Sequence, residues 1–400
     1  MQNKTLKIDR AFFLLLVLIF LAGLLRTVFR PTEINEYENR YANQLAPLTA
    51  ASYADGSFQD GMESALSDQV QFSQLAKKTY NFVTSYAAMP LIVPLENLTH
   101  GYVSAGDVSF YESKIVYQPW TYLQPEWLEA KAENLNAAIA AHPELEFYAY
   151  YIEKDTDIDF TTGQKIDASE SMLSMLNLPD SHKGIYEINS FDEFNERFYD
   201  TDHHWNYIGS YEAYRDVLSV LGGGEPLEPT GVYHSGLRFS GAKSKQFSRF
   251  FSDEMTIYSF DFPPMEIQVD RVESDYGMQD ELLRGELGWV SYGGVYGGDN
   301  GEVIFDTGKD GDNILIFGNS YDNAILKLLA SHFSKTYSID LRNYEHTFGE
   351  KFDFDSYVRE HDISKVLFIG DISFYYRSKI SRNYLLFEPK CRNNAEITYM

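Results

Sequence analysis

Apolar side chains run without a break from Ala11 to Leu25, stop at Arg26, and follow a segment carrying Lys4, Lys7 and Arg10. A basic stretch ahead of an apolar core marks an exported chain whose basic end stays in the cytoplasm. The run is short for a spanning helix, which needs about 20 residues. Thr27, Val28 and Phe29 extend it, and the Arg26 side chain can snorkel to the interface. No A-x-A cleavage pattern or lipobox cysteine follows. The expectation is therefore an uncleaved single-pass anchor in residues 1–30, with a cleaved signal peptide as the alternative. Either one places the remainder outside the cytoplasm.

Residues 31–95 read as a stem and packing helices. Arg30 to Ala54 is polar and aperiodic. From Ser57 the apolar positions take helical spacing, with Phe58, Met62, Ala65 and Leu66 on one face and Leu75, Phe82, Val83 and Tyr86 on another. Residues 96–400 form the main domain. A helix opens at Pro125 with Leu128, Ala132, Leu135 and Ile139 in one stripe, and Leu145, Phe147, Ala149 and Tyr151 then alternate as a strand. Gly184 to Ile188 predicts a short strand and Phe191 to Phe198 a helix. A further helix carries Tyr211, Tyr214, Val217, Leu218 and Leu221 and ends at Gly222 to Gly224. From about 225 to 312 the chain is rich in Gly, Tyr, Phe and Ser with weak periodicity, which predicts an irregular or β-rich insertion. The last quarter alternates regularly: a strand at Ile314 to Phe317, a helix with Ile325, Leu328, Leu329 and Phe333, a strand at Thr336 to Leu341, a helix at Phe354 to His361 and a strand at Val366 to Ile369. That order predicts an α/β fold built on a parallel sheet.

Composition narrows the function classes. A 44% hydrophobic and 16% aromatic content over 400 residues suits a packed globular core. The net charge of −26 excludes nucleic acid as an expected partner, since phosphate binding needs clustered cations. The one small cluster, Lys243, Lys245 and Arg249, reads as a solvated face, with contact to an anionic glycan as the alternative. A single cysteine, Cys391, leaves no intramolecular disulfide or cysteine metal site, and export without disulfides fits a bacterial surface protein.

Ligands of an open parallel sheet sit beyond the carboxyl ends of its strands. Ser320 falls there, where the strand ending at Phe317 turns into its helix, so amides near the helix start are available to an oxyanion. A serine nucleophile needs a base, and an imidazole works best when a carboxylate fixes its tautomer. Asp202, His203 and His204 can supply both groups. A metal site on these three is disfavoured because neighbouring side chains of an extended segment point to opposite faces, and no H-x-x-x-H or H-E-x-x-H pattern occurs. No Gly-x-Gly-x-x-Gly or P-loop follows a strand, so no nucleotide cofactor is expected. Taken alone, Ser320 also fits a structural turn. Trp205 and Asn206 fit a core anchor and a helix cap.

The stretch Thr201-Asp202-His203-His204-Trp205-Asn206, with Gly318-Asn319-Ser320-Tyr321 and Asp340-Leu341-Arg342 after it, resembles the DHHW family of bacterial surface proteins. More distantly it is similar to the alginate O-acetyltransferases of the SGNH hydrolase superfamily, in which an Asp-x-His-Trp motif precedes the serine. The likeness spans Glu38-Asn39-Arg40 to about Asp371. It implies an SGNH-like sheet with permuted motif order, Asp202 as orienting acid, His204 as base, Ser320 as nucleophile, and His203 at a variable position. Asn319 stands where the superfamily has aspartate, and the Gly and Asn blocks of its oxyanion hole have no match. Asn319, Tyr321 and Arg342 are the remaining candidates for oxyanion or substrate contacts, and an ion pair is the alternative for Arg342. The implied activity is acetyl transfer onto a surface or cell-wall polysaccharide, with a membrane-bound O-acyltransferase as partner and the acetyl donor unidentified. An acetylesterase with the same triad, or a non-catalytic tethered glycan-binding protein, would use the same scaffold.

Overall fold

The computed structural model describes residues 100–375, apart from 106–107, 113 and 248–250, together with shorter stretches between 12 and 83. Of the expected anchor, Phe12 to Leu15, Val17 and Leu18 are helical with exposed side chains, and the rest lies outside the described residues. No helix among the described residues is long and apolar enough to cross a membrane. The expected helix at Ser57 runs Ser57–Gln69; Leu75, Phe82 and Tyr86 of the next one lie outside the described residues.

The main domain is organised by one sheet. In chain order its elements, with the hairpin that flanks it, are helix α1 (Pro125–Ala141), strand β1 (Glu146–Ile152), helix α2 (Ala168–Met175), strand β2 (Lys183–Tyr186), helices α3 (Phe191–Arg197) and α4 (Tyr207–Val220), strands β3 (Gly231–Phe239), β4 (Asp253–Ser259), β5 (Glu266–Val269) and β6 (Val272–Glu273), helix α5 (Tyr292–Tyr296), strands β7 (Glu302–Asp306) and β8 (Asn313–Phe317), helix α6 (Asn323–Ala330), strand β9 (Lys335–Ile339), helices α7 (Leu341–Phe348) and α8 (Phe354–Glu360), and strand β10 (Lys365–Asp371). The eight-stranded sheet has the order β6-β5-β7-β9-β8-β10-β1-β2. The β9-β8-β10-β1-β2 half is parallel throughout, as the strand–helix alternation predicts. The β6-β5-β7 edge is antiparallel and joins it through β7 on β9.

Alternation along β1 shows how the layers form. Tyr148, Tyr150 and Ile152 face a core shared with α4 and α6, whereas Phe147, Ala149 and Tyr151 face a second core shared with α1 and α8. Central parallel strands are buried on both faces, which is why β8, β10 and β1 read as nearly continuous apolar runs.

One expectation is refined and one changes. Residues 225–312 are β-rich, as expected, and part of the segment is built into the main sheet: β5, β6 and β7 extend it, and β3 and β4 pair as a separate antiparallel hairpin. The strand expected to run through Leu341 stops at Ile339, because the Asp340 carboxylate accepts from the Arg342 amide at 2.8 Å and starts α7, a helix the apolar pattern did not reveal.

Candidate active site

Ser320 lies in the turn between β8 and α6, beyond the carboxyl end of a central strand. The turn is tight: a Cβ on Gly318 would stand 2.0 Å from an Asp322 carboxylate oxygen, so a larger residue there would have to displace that carboxylate. Facing it is the bend formed by Thr201 to His204, immediately before α4. Trp205 anchors that bend with no exposed surface, and Asn206 caps α4 by accepting from the amides of Ile208 at 2.9 Å and Gly209 at 3.2 Å.

Imidazole and hydroxyl meet across this gap. His204 Nε2 lies 2.7 Å from Ser320 Oγ, and His204 Nδ1 lies 2.6 Å from Asp202 Oδ1. The carboxylate fixes the tautomer: Nδ1 donates to Asp202, which leaves Nε2 as the acceptor for the serine hydroxyl. The other carboxylate oxygen of Asp202 accepts from the Ala242 amide at 3.0 Å. Burial opposes the charge on Asp202, but the His204 and His203 rings and the Ala242 amide outweigh it and hold the carboxyl well below its ordinary range. His204 is itself 6% exposed, so the contact is shielded from water.

The three residues expected to diverge instead converge. Thr201 to His204 is bent rather than extended, the His203 and His204 ring centroids are 3.9 Å apart, and His203 Nδ1 lies 3.5 Å from the same Asp202 oxygen. The geometric objection to a metal ion therefore fails. A different one replaces it, since Asp202 Oδ1 and His204 Nδ1 are spaced to share a proton. No described contact joins the His203 ring to Ser320, whose hydroxyl meets His204. Burial and the neighbouring His204 push the His203 imidazole down to about 3, so it is neutral at ordinary pH.

The expected oxyanion donors are largely committed elsewhere. Asn319 Nδ2 donates to Asp371 at 2.8 Å, and Asn319 Oδ1 accepts from the Tyr321 amide at 3.4 Å. The Tyr321 hydroxyl donates to the His203 carbonyl at 2.6 Å, bracing the bend. Arg342 grips Asp340, with Nε 2.9 Å from each carboxylate oxygen, and reaches Asp299 at 3.4 Å. No described contact joins it to Ser320 or His204. Together with Gly318, Asn319 and Ser373 it lines a small crevice along the strand ends. The Ser320 amide has no acceptor among the described residues.

Several supporting residues escaped the sequence reading. Tyr292 of α5 stacks on the His204 ring, with centroids 3.8 Å apart and planes 2° from parallel, and its hydroxyl donates to the Ser320 carbonyl at 3.3 Å. Gly241 approaches so closely that a Cβ there would lie 2.4 Å from Asp202 Cβ. Asp253 accepts from the amides of Asp200 at 2.8 Å and Thr201 at 2.9 Å. Beyond β1, Glu153 to Asp157 are all buried. Lys154 pairs there with Asp371, which also accepts from the Ser373 amide at 3.0 Å. This pairing accounts for Asn319, since an aspartate at that position would set a second carboxylate against Asp371. Lys243, expected on a solvated face, is buried 3.6 Å from Asp155, and Arg249 lies outside the described residues.

With this geometry in place, the fold can be compared with solved structures. A DHHW family protein from Eubacterium siraeum superposes with a TM-score of 0.52 over 69% of this chain and 94% of its own, at 15% identity. The two share a fold. PatB1 of Bacillus cereus superposes with a TM-score of 0.50 over 69% of this chain and 97% of its own, at 16% identity. The O-acetyltransferase domain of Pseudomonas putida AlgJ covers 72% of this chain and 96% of its own at 12% identity, but with a TM-score of 0.39 the superposition is too loose to bear on the site. No family model matches the sequence, and no curated protein matches it.

Proposed function

We propose that this chain transfers an acyl group, with acetyl the expected case, onto a hydroxyl of a surface or cell-wall glycan by double displacement at Ser320. The observation that carries the reading is the unbroken line from Asp202 through His204 to Ser320, with contacts of 2.6 and 2.7 Å. Ser320 Oγ attacks the ester carbonyl carbon as its proton passes to His204 Nε2, and the Ser320 amide faces the tetrahedral oxyanion. Collapse breaks the bond to the donor oxygen, which leaves with the proton from His204. A glycan hydroxyl then attacks the acyl-serine, His204 takes its proton, and the second collapse returns that proton to Ser320. Throughout, Asp202 stays ionised and stabilises the imidazolium.

Residues 11–29 would tether the domain to the outer face of the membrane, where a membrane-bound O-acyltransferase could present the acyl donor. Water in place of the glycan hydroxyl gives an esterase with the same residues. The commitment of Asn319 and Tyr321 to other partners favours a second reading, a non-catalytic glycan-binding protein.

A fluorophosphonate probe separates enzyme from binder. The wild-type chain should be labelled and Ser320→Ala should not. Absence of labelling in folded protein, with no acetate released from 4-nitrophenyl acetate, would sink the catalytic reading. Acetylated glycan recovered by mass spectrometry, in excess over free acetate, distinguishes transfer from hydrolysis.

A further inference from the structure

Next to Tyr292 along the chain lies a second concavity that the triad does not use. It measures about 390 Å³ and is lined by Asp275, Met278, Trp289, Ser291 and Asn300 around the backbone of Gly293, Gly294, Gly297 and Gly298. We propose that it is a subsite for a neutral pyranose ring of the acceptor glycan, with Trp289 as the stacking platform. The assignment rests on the acyl-transfer reading for the word acceptor, but not for the binding itself.

Trp289 is half-buried and makes no ring stack among the described residues, and its indole N–H has no acceptor among them. An indole offers an apolar face and an N–H donor, the two groups a sugar ring can satisfy together. The floor beneath it is bare backbone. A Cβ on Gly294 would lie 2.7 Å from Met278 Cε, 2.9 Å from Ser291 Oγ and 3.9 Å from Trp289 Cζ3, and one on Gly293 would lie 3.5 Å from Gly298 Cα. Side chains at these glycines would narrow the space in which a flat ring could lie. Asp275 and Asn300 stand at the wall, where a carboxylate and an amide carbonyl can accept from sugar hydroxyls.

Charge selects among sugars. None of the lining residues is a cation, and the whole chain carries −26, so a uronate or phosphate-bearing polymer would meet repulsion without compensation. The cavity is also tied to the triad through short links. Ser291 accepts from the Gly294 amide at 3.0 Å and starts α5, whose first residue is the Tyr292 that covers His204. On the far side, Asp299 accepts from Asn323 of α6 at 3.4 Å, three residues beyond Ser320.

The test is titration of the Ser320→Ala chain with the neutral, fully N-acetylated chitopentaose as the probe, followed by tryptophan fluorescence and by saturation-transfer NMR. Saturable binding is expected, with Trp289→Ala weakening it about tenfold and Trp289→Phe, which keeps a ring, weakening it far less. Oligogalacturonate at matched ionic strength should bind much more weakly. Equal binding by Trp289→Ala, preference for the anionic oligomer, or competition by an octanoyl ester for the same fluorescence change would overturn the subsite. Because Ser320→Ala has no nucleophile, these outcomes are independent of fluorophosphonate labelling. Labelling without glycan binding removes this inference alone, and binding without labelling removes the catalytic reading alone.

Discussion

Two buried aspartates reach Ser320 by different routes. Asp202 reaches it through His204, whose Nε2 can take up and release a proton, and it is held by a bend and by the 241–242 backbone. Asp371 acts through Asn319, whose amide protons do not leave, and it is held by Lys154 and by the Ser373 backbone. Burial opposes ionisation of both, yet nearby imidazoles keep the first charged and the Lys154 ammonium keeps the second charged. On the acyl-transfer reading, the contrast separates a carboxylate whose partner would move protons from one whose partner fixes geometry. It predicts that damage on the first side appears as lost turnover and damage on the second as lost stability.

The sharpest way to break that division is His204→Ala. It should lower ester turnover roughly 10⁴–10⁶-fold while costing less stability than Lys154→Met, because the Ala242 amide still holds Asp202; a loss of stability as large as that of Lys154→Met would place His204 among the structural residues. Lys154→Met should do the reverse. It strands Asp371 as a buried charge without its counter-ion, and urea unfolding should show a loss of about 3–5 kcal/mol. Adding Asp371→Asn should recover part of this.

Acid titration tests both carboxylates at once. Their folded values are depressed, so the stability they contribute is present above the unfolded aspartate value of about 4 and is lost as pH falls below it. Urea midpoints should therefore drop from about pH 4 downward, and the drop should be shallower in Asp202→Asn. The smallest effect is expected from His203→Gln. Its imidazole is already neutral near pH 7, so ester turnover should change by less than about tenfold and the acid limb of the rate profile should not move.

The sequence made one side of Ser320 far more legible than the other. Asp202, His204 and Ser320 are readable because each needs a particular residue type, and because a strand followed by a turn places Ser320 at the sheet's carboxyl edge. Asn319, taken for an oxyanion donor, turns away because its partner Asp371 is 52 residues further on. Periodicity carries no information about such a pairing. Lys154 was missed because Glu-Lys-Asp-Thr-Asp after a strand looks like a solvated turn, although its place at the end of β1 could have marked it. Tyr292 sits in a glycine-rich stretch with no period at all. The fold divides in a similar way: the parallel half was legible from alternating runs, whereas β5 to β7 are short strands whose pairing depends on contacts distant in sequence.

The Lys154 ion pair has a consequence for the chemical safety of the site. The Lys154 amine lies over the ring of Tyr321, the residue after Ser320, 5.6 Å from its centroid, and a primary amine beside an acylated serine would compete as acceptor, forming an amide far harder to reverse than an ester. Burial favours the neutral, nucleophilic amine, but Asp371 and Asp155 more than offset this and raise the Lys154 ammonium above its ordinary range. The lone pair that would attack is occupied by a proton. The pairing that positions Asn319 would thereby also protect the protein from acylating itself.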